Sequence, residues 1–153
     1  MPIREDRHTP EVLAEEELAG YLALAATEPL QALADAIIAS SPGLRVLAGP
    51  TVGTARYDVR EPVEAVRFGL VEVLITNAEV ELEGSHGWAT RLGDDRVGTL
   101  SAAICDAEVQ RNGPLADSVR ALCELVRTDL AEQHARRWAE LLPTVVHFEE
   151  LDR

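Results

Sequence analysis

The sequence predicts an α+β fold: an antiparallel or mixed sheet covered by helices, two at the N-terminus and two after the central strands. Three observations carry this. Residues 68–107 read as strand, turn, strand and capped helix in one contiguous piece, a complete supersecondary unit. The order along the chain is helix, helix, a β-rich middle, helix, helix and a last strand, and short connections between consecutive strands favour an antiparallel or mixed sheet. No G-x-G-x-x-G or G-x-x-x-x-G-K-[ST] follows a strand, so a nucleotide-binding α/β fold has no support.

Thr9-Pro10-Glu11 opens the first helix, with Thr as N-cap, Pro at the first helical position and acids in the first turn. It is expected to reach about Ala26, with Leu18, Leu22 and Ala25 on one face, and to break at Thr27-Glu28-Pro29. A second helix carries Leu30, Leu33 and Ile37 at helical spacing and stops at Ser40-Ser41-Pro42-Gly43. Leu44–Ala48 reads as a short strand, Gly49-Pro50 as a turn, and Thr51–Val59 as a second strand. Pro62 lacks the amide that a central ladder needs, so residues 60–67 read as loop or edge.

From Phe68 to Leu82 the side chains alternate. Glu79, Glu81 and Glu83 point one way and Val80 and Leu82 the other, one acidic face and one apolar face. A bulge at Thr76-Asn77-Ala78 keeps this as one long strand. Glu83-Gly84-Ser85 turns into a strand over residues 86–92. Asp94 or Asp95 then caps a helix whose core stripe is Val97, Leu100, Ile104 and Ala107. After Asn112-Gly113-Pro114 the last helix holds Leu115, Val119, Leu122, Val126, Leu130, His134, Trp138 and Leu141 on one stripe. Pro143 stops it, and Thr144–Phe148 reads as a closing strand.

A chain of 153 residues fits one domain, residues 1–153, with 1–8 as a disordered tail. Hydrophobic residues make up 46%, yet no apolar run approaches the roughly 20 residues of a membrane helix. The first residues lack the apolar segment of a signal peptide, so a cytoplasmic location is expected. A net charge of −13 argues against nucleic acid and anionic membranes as partners. All 14 cations are arginine, which excludes lysine Schiff-base chemistry and a P-loop lysine. Cys105 and Cys123 lack CxxC spacing and read as buried free thiols.

Little in the chain has the pattern of a catalytic site. His8 falls in the tail, His134 lies on the apolar stripe and His147 in the closing strand. His86 stands beside Gly87-Trp88 and close in sequence to Asp94-Asp95, and a histidine with two carboxylates could do acid–base work or hold a divalent ion. A stand-alone small-molecule enzyme or binding domain built on His86, Asp94 and Asp95 is therefore the rival to a scaffold reading. Glu72, Glu79, Glu81 and Glu83 could line a cation site, but like charges on one strand face ordinarily stay in water. Glu15-Glu16-Glu17 reads as a solvated face in the same way. No cofactor and no metal site is expected.

The order Glu72, Thr76, Ala78, Val80, Leu82, then Gly87-Trp88, Gly93, Asp95-Arg96 and Asp106-Ala107 resembles the PhnG-type subunit of the bacterial phosphonate carbon–phosphorus lyase system. The resemblance extends to Gly49-Pro50-Thr51-Val52-Gly53 and to Val145-Val146-His147-Phe148, and so covers most of the chain. It implies a cytoplasmic accessory subunit of the lyase core assembly, with PhnI, PhnH and PhnJ types as partners. Alongside the PhnI type it would support formation of ribose 1-phosphonate 5-triphosphate from ATP and an alkylphosphonate, releasing adenine. Where the family pattern has arginine this chain has Asn77, Glu81 and Asp94, each change removing positive charge. The residues singled out as ligand or partner contacts are Glu72, Thr76, Asn77, His86, Trp88, Asp95, Arg96 and Trp138, none with a catalytic or metal-binding role.

The last stripe bears on association. Leu115 to Leu141 spans about 27 residues, roughly 40 Å at 1.5 Å per residue. A domain of this size has a radius of gyration of only about 15 Å. The His134–Trp138–Leu141 end is therefore expected to be left over for another chain, as a homodimer contact or the seat of a partner.

Overall fold

The structure, a computed structural model, describes residues 14–144. Two helices, α1 (Glu15–Leu24) and α2 (Thr27–Ser40), precede three strands, β1 (Leu44–Arg60), β2 (Arg67–Leu82) and β3 (Ser85–Leu92). These form one antiparallel sheet in the order β1-β2-β3. Two helices follow, α3 (Arg96–Gln110) and α4 (Ala116–Leu141), and then a single 3-10 turn, Leu142–Thr144. No single described helix is long and apolar enough to cross a membrane.

The alternation seen in β2 decides which face of the sheet is covered. Thr76, Ala78, Val80 and Leu82 are buried against α3, whereas Asn77 and Glu79 face out. On β3 the inward residues are Gly87, Ala89 and Arg91. Helix α3 lies between the sheet and the other helices, and eleven of its fifteen residues are buried. Its small side chains, Ala102, Ala103 and Ala107, permit such close packing from several sides. Gly87 marks the tightest approach. A Cβ there would stand 2.5 Å from the Ala107 amide nitrogen and would also strike the Ala103 carbonyl oxygen.

The β2–β3 connection is a two-residue turn with Glu83 (φ 50°) and Gly84 (φ 85°) both left-handed, the backbone twist that suits a tight hairpin. A non-glycine residue at φ > 0 needs outside support. Glu83 has it from Gly43: the amide of Glu83 donates to the Gly43 carbonyl at 3.1 Å, and its carboxylate accepts from the Gly43 amide at 3.0 Å.

Several expectations need correction. The α1–α2 break falls at Ala25-Ala26, and Thr27-Glu28-Pro29 forms the first turn of α2. Proline is tolerated there because the first-turn amides have no helical acceptor. Gly49-Pro50 does not end a strand: β1 runs through it, with register shifts at Val46/Ala48 and Ala48/Thr51 absorbing the extra residues. β2 is one strand as expected, but its pairing with β3 is regular at Thr76-Asn77-Ala78, and its own extra residue is Leu70, opposite the Tyr57/Asp58 step. Val97 is half exposed in the first turn of α3, where no neighbouring element covers it, so the core stripe begins at Leu100. Thr144 closes the 3-10 turn. The rest of the closing strand, the tail, the Thr9-Pro10 start, His8 and His147 fall outside the described residues.

Candidate functional site

Two buried polar junctions hold the elements in place. At the first, Asp95 is the N-cap of α3, its Oδ1 accepting from the Gly98 amide at 2.9 Å. Its Oδ2 accepts from the Thr27 hydroxyl at 2.7 Å and from Arg91 Nε at 3.0 Å. Arg91 is nearly enclosed, and it donates onward to the carbonyls of Leu22 (2.8 Å) and Ala25 (2.7 Å) at the C-terminal end of α1. Those carbonyls have no helical donor, so a guanidinium both satisfies them and complements the helix dipole. Thr76, in the centre of β2, donates from its hydroxyl to the Gly93 carbonyl at 2.6 Å and accepts from the Asp95 amide at 3.2 Å. Thr76 and Asp95 are therefore joined within this junction.

The second junction centres on Glu108, which is fully buried. Its carboxylate accepts from Arg111 Nε at 2.7 Å and from the Leu115 amide at 2.8 Å, and Arg111 donates to the Ser41 hydroxyl at 2.5 Å. The ends of α2 and α3 and the start of α4 are tied together by Glu108 and Arg111, the latter reaching Ser41.

Asp95 gives the first junction a pH dependence. Partial burial pushes its carboxyl upward, but hydrogen bonds from the Thr27 hydroxyl and the Gly98 amide, with the Arg91 charge, outweigh it, and its pKa is lowered. A carboxyl lowered in the folded state adds stability above its unfolded pKa of about 3.9, and that contribution is lost as pH falls through the folded value. Urea denaturation of wild type and Asp95→Asn should therefore differ most near neutrality and converge as the pH falls below the ordinary carboxylate range. A difference that stays constant with pH would show that the charge at 95 is immaterial.

The open face of the sheet gathers three of the singled-out residues. Asn77 Oδ1 accepts from the Thr90 hydroxyl at 2.6 Å, Trp88 is 52% exposed, and His86 Nε2 lies 3.4 Å from Glu79 Oε2. Opposite β1, Glu81 pairs with Arg45 at 3.0 Å. Between β3 and α3 a shallow cleft of ≈ 490 Å³ is lined by Ser85, His86, Trp88, Asp106 and Gln110, with Asp106 Oδ2 accepting from the Trp88 amide at 3.0 Å. The His86–Asp94–Asp95 grouping does not form. His86 is at the start of β3, whereas Asp95 is held against Arg91 and Thr76 near its far end, five residues or roughly 17 Å along the strand at about 3.3 Å per residue. Asp94 pairs with Arg96 at 3.1 Å on the surface. Among the described residues no three His, Cys, Asp or Glu side chains gather as metal ligands would. The thiols are free and buried, and burial is the main cause that pushes Cys105 up to about 12 and Cys123 to about 11, which makes both poor nucleophiles.

Two projections leave the body. Every residue from Ala131 to Thr144 is exposed, and Trp138 (60% exposed), Leu141 and Leu142 have no cover. This is the end of the long stripe, and Trp138 stands on it. Beyond Ile75, where β3 stops, β1 and β2 continue as a two-stranded arm that carries Glu72 opposite Arg56.

Sequence reasoning missed Arg91 and Glu108. Both signals were present: Arg91 shares the inward alternation of Gly87 and Ala89, and Glu108 lies four residues after Ile104 on the apolar stripe. A charge on a face that must be buried points to a buried partner.

The family model described as phosphonate metabolism protein PhnG matches residues 15–153. No curated protein matches the chain.

Proposed function

The chain belongs to the PhnG family of phosphonate metabolism proteins, and from that premise we propose that it is an accessory, non-catalytic subunit of the cytoplasmic carbon–phosphorus lyase core assembly. In this reading it supports, with a PhnI-type partner and beside PhnH and PhnJ types, the joining of an alkylphosphonate to the ribose of ATP with release of adenine. The observation that carries the reading is the bare α4 end. A helix whose residues from Ala131 to Leu141 are all exposed, with Trp138 near its tip, is a binding element in search of a surface.

The described side chains offer scaffold chemistry. Buried charges hold elements together, as in Asp95–Arg91 and Glu108–Arg111, and the exposed His86 pairs with Glu79. Asn77 and Glu81 stand where the family pattern carries arginine, and Glu81 is paired with Arg45, so the face lacks that positive charge.

Two measurements test the reading together. The purified chain alone should release no adenine from ATP, and Trp138→Ala should weaken binding to a co-expressed PhnI-type partner by about 2 kcal/mol while leaving the unfolding free energy within about 0.5 kcal/mol of wild type. Adenine release by the isolated chain, abolished by His86→Ala, would instead make it an enzyme. Loss of stability without loss of partner binding in Trp138→Ala would remove the α4 end from the interface.

A further inference from the structure

The sheet order leaves the outer edge of β3 without a neighbouring strand among the described residues, and Trp88 stands in the middle of that edge. The ladder fixes how it is presented. The Leu74 carbonyl accepts from the Gly93 amide at 2.8 Å, so alternate residues of β2 from Leu74 onward turn their backbone toward β3, opposite Arg91, Ala89 and Gly87. Trp88 falls between these, and its amide points away from β2 to reach Asp106 Oδ2 on α3 at 3.0 Å. Trp88 and Glu79 are therefore a pair without mutual backbone bonds, the closer kind, with about 4.5 Å between their Cα atoms. Both side chains stand on the open face.

Two hollows meet at this indole. On one side Trp88, Ala89 and Thr90 face Ala19, Gly20 and Ala23 of α1 across ≈ 340 Å³, a mostly apolar surface. On the other is the cleft of ≈ 490 Å³, where the buried carboxylate of Asp106 and the Gln110 carboxamide lie beyond Trp88. The half-exposed carboxylate of Glu79 follows, 3.4 Å from the His86 ring at the cleft's rim. Negative charge gathers here without a permanent counter-charge. The His86 ring is charged only when protonated, and Arg45, across the sheet, is committed to Glu81.

We propose that Trp88 seats an arginine side chain of a partner protein, with its stem in the apolar hollow and its guanidinium over the indole, toward the carboxylates of Asp106 and Glu79. Arginine matches both halves of the site. Its methylene stem lies along apolar surface, and its planar cation stacks on an aromatic ring and takes carboxylates in a fork. Lysine carries a compact, strongly hydrated charge that stacks less well. An acidic or phosphorylated ligand would meet two carboxylates. A free small molecule is the poorer occupant, because both hollows are shallow and Trp88, 52% exposed, covers a bound molecule on one side alone. A side chain is held in addition by the surface that carries it.

Nuclear magnetic resonance titration of the isotope-labelled full chain tests this apart from the lyase reading, since neither an assembly subunit nor the α4 end takes part. The probe is a capped Gly-Arg-Gly peptide, compared with its citrulline and lysine counterparts and with free arginine. The arginine peptide should shift the Trp88 indole N–H and the amides of residues 86–90, with a dissociation constant on the order of 1 mM. The citrulline peptide, of the same shape without the charge, should bind at least roughly tenfold more weakly, and the lysine peptide about threefold. Glu79→Gln should weaken arginine binding about threefold, and so should Asp106→Asn, which keeps an acceptor for the Trp88 amide. Trp88→Leu should weaken it roughly tenfold or more. The proposal is overturned if the citrulline or lysine peptide binds as tightly as the arginine peptide, or if Glu79→Gln and Asp106→Asn both bind like wild type. It is overturned equally if the shifts centre away from β3, or if none appears below about 20 mM peptide. Tighter binding of free arginine than of the capped peptide would make this a small-molecule site and overturn the docking of a partner's side chain.

Discussion

Arg91→Met should lower the unfolding free energy by about 3–5 kcal/mol, the cost of breaking a buried charge pair from one side. The guanidinium is one side chain with three structural contacts: the Asp95 carboxylate and the carbonyls of Leu22 and Ala25. Methionine fills much of the volume and supplies none of the donors. The two carbonyls at the end of α1 and the carboxylate at the start of α3 would be left short of a partner at once. Arg91→Lys should recover only a small part, because a single ammonium cannot span sites that a planar fork reaches on two sides. Urea denaturation followed by circular dichroism reads the effect. A loss below about 1 kcal/mol would mean that water replaces the guanidinium and that the junction is not sealed.

Gly87→Ala should cost about 3 kcal/mol, at the upper end of what one added methyl group does in a packed core. The added methyl would meet backbone on α3, at the Ala103 carbonyl and the Ala107 amide, and backbone cannot swing aside as a side chain can. Only separation of β3 from α3 relieves it, and that contact joins the sheet to the helical layer. In a chain of this size the loss corresponds to a melting temperature on the order of 10 °C lower. Combining it with Ala107→Gly removes the Cβ–Cβ clash at 2.7 Å but leaves the carbonyl in the way, so rescue should be partial. Full rescue would place the strain on the Ala107 side chain alone. At Gly84, where space is open, the cost of alanine comes from the left-handed backbone instead.

What could be read from residues alone were the features set by local periodicity. The alternation from Asn77 to Leu82 placed the acidic and apolar faces of β2 correctly, Asp95 was one of two named caps, and the apolar stripe of α4 ran where the helix does. These hold because a strand or helix imposes its period on the chain whatever it packs against. The breaks at Ala25-Ala26 and at Gly49-Pro50 were misplaced for the converse reason. Glycine and proline permit a turn but do not compel one, and pairing with β2 carried β1 straight through.

The stripe's length was enough to expect a helix end to spare, since a stripe of that length outruns one small core. Which charges would be buried was decided only in three dimensions. Thr27, Arg91 and Asp95 lie on three separate elements, and their joining depends on α1 ending beside β3. The His86–Asp94–Asp95 grouping failed for a related reason: β3 carries His86 away from its far end at about 3.3 Å per residue, and the turn at Gly93 returns Asp95 only as far as Arg91 and Thr76. Sequence distance fixed the periods of this protein. Contacts between elements fixed its charges, because a buried ion pair is settled by what the fold brings alongside it.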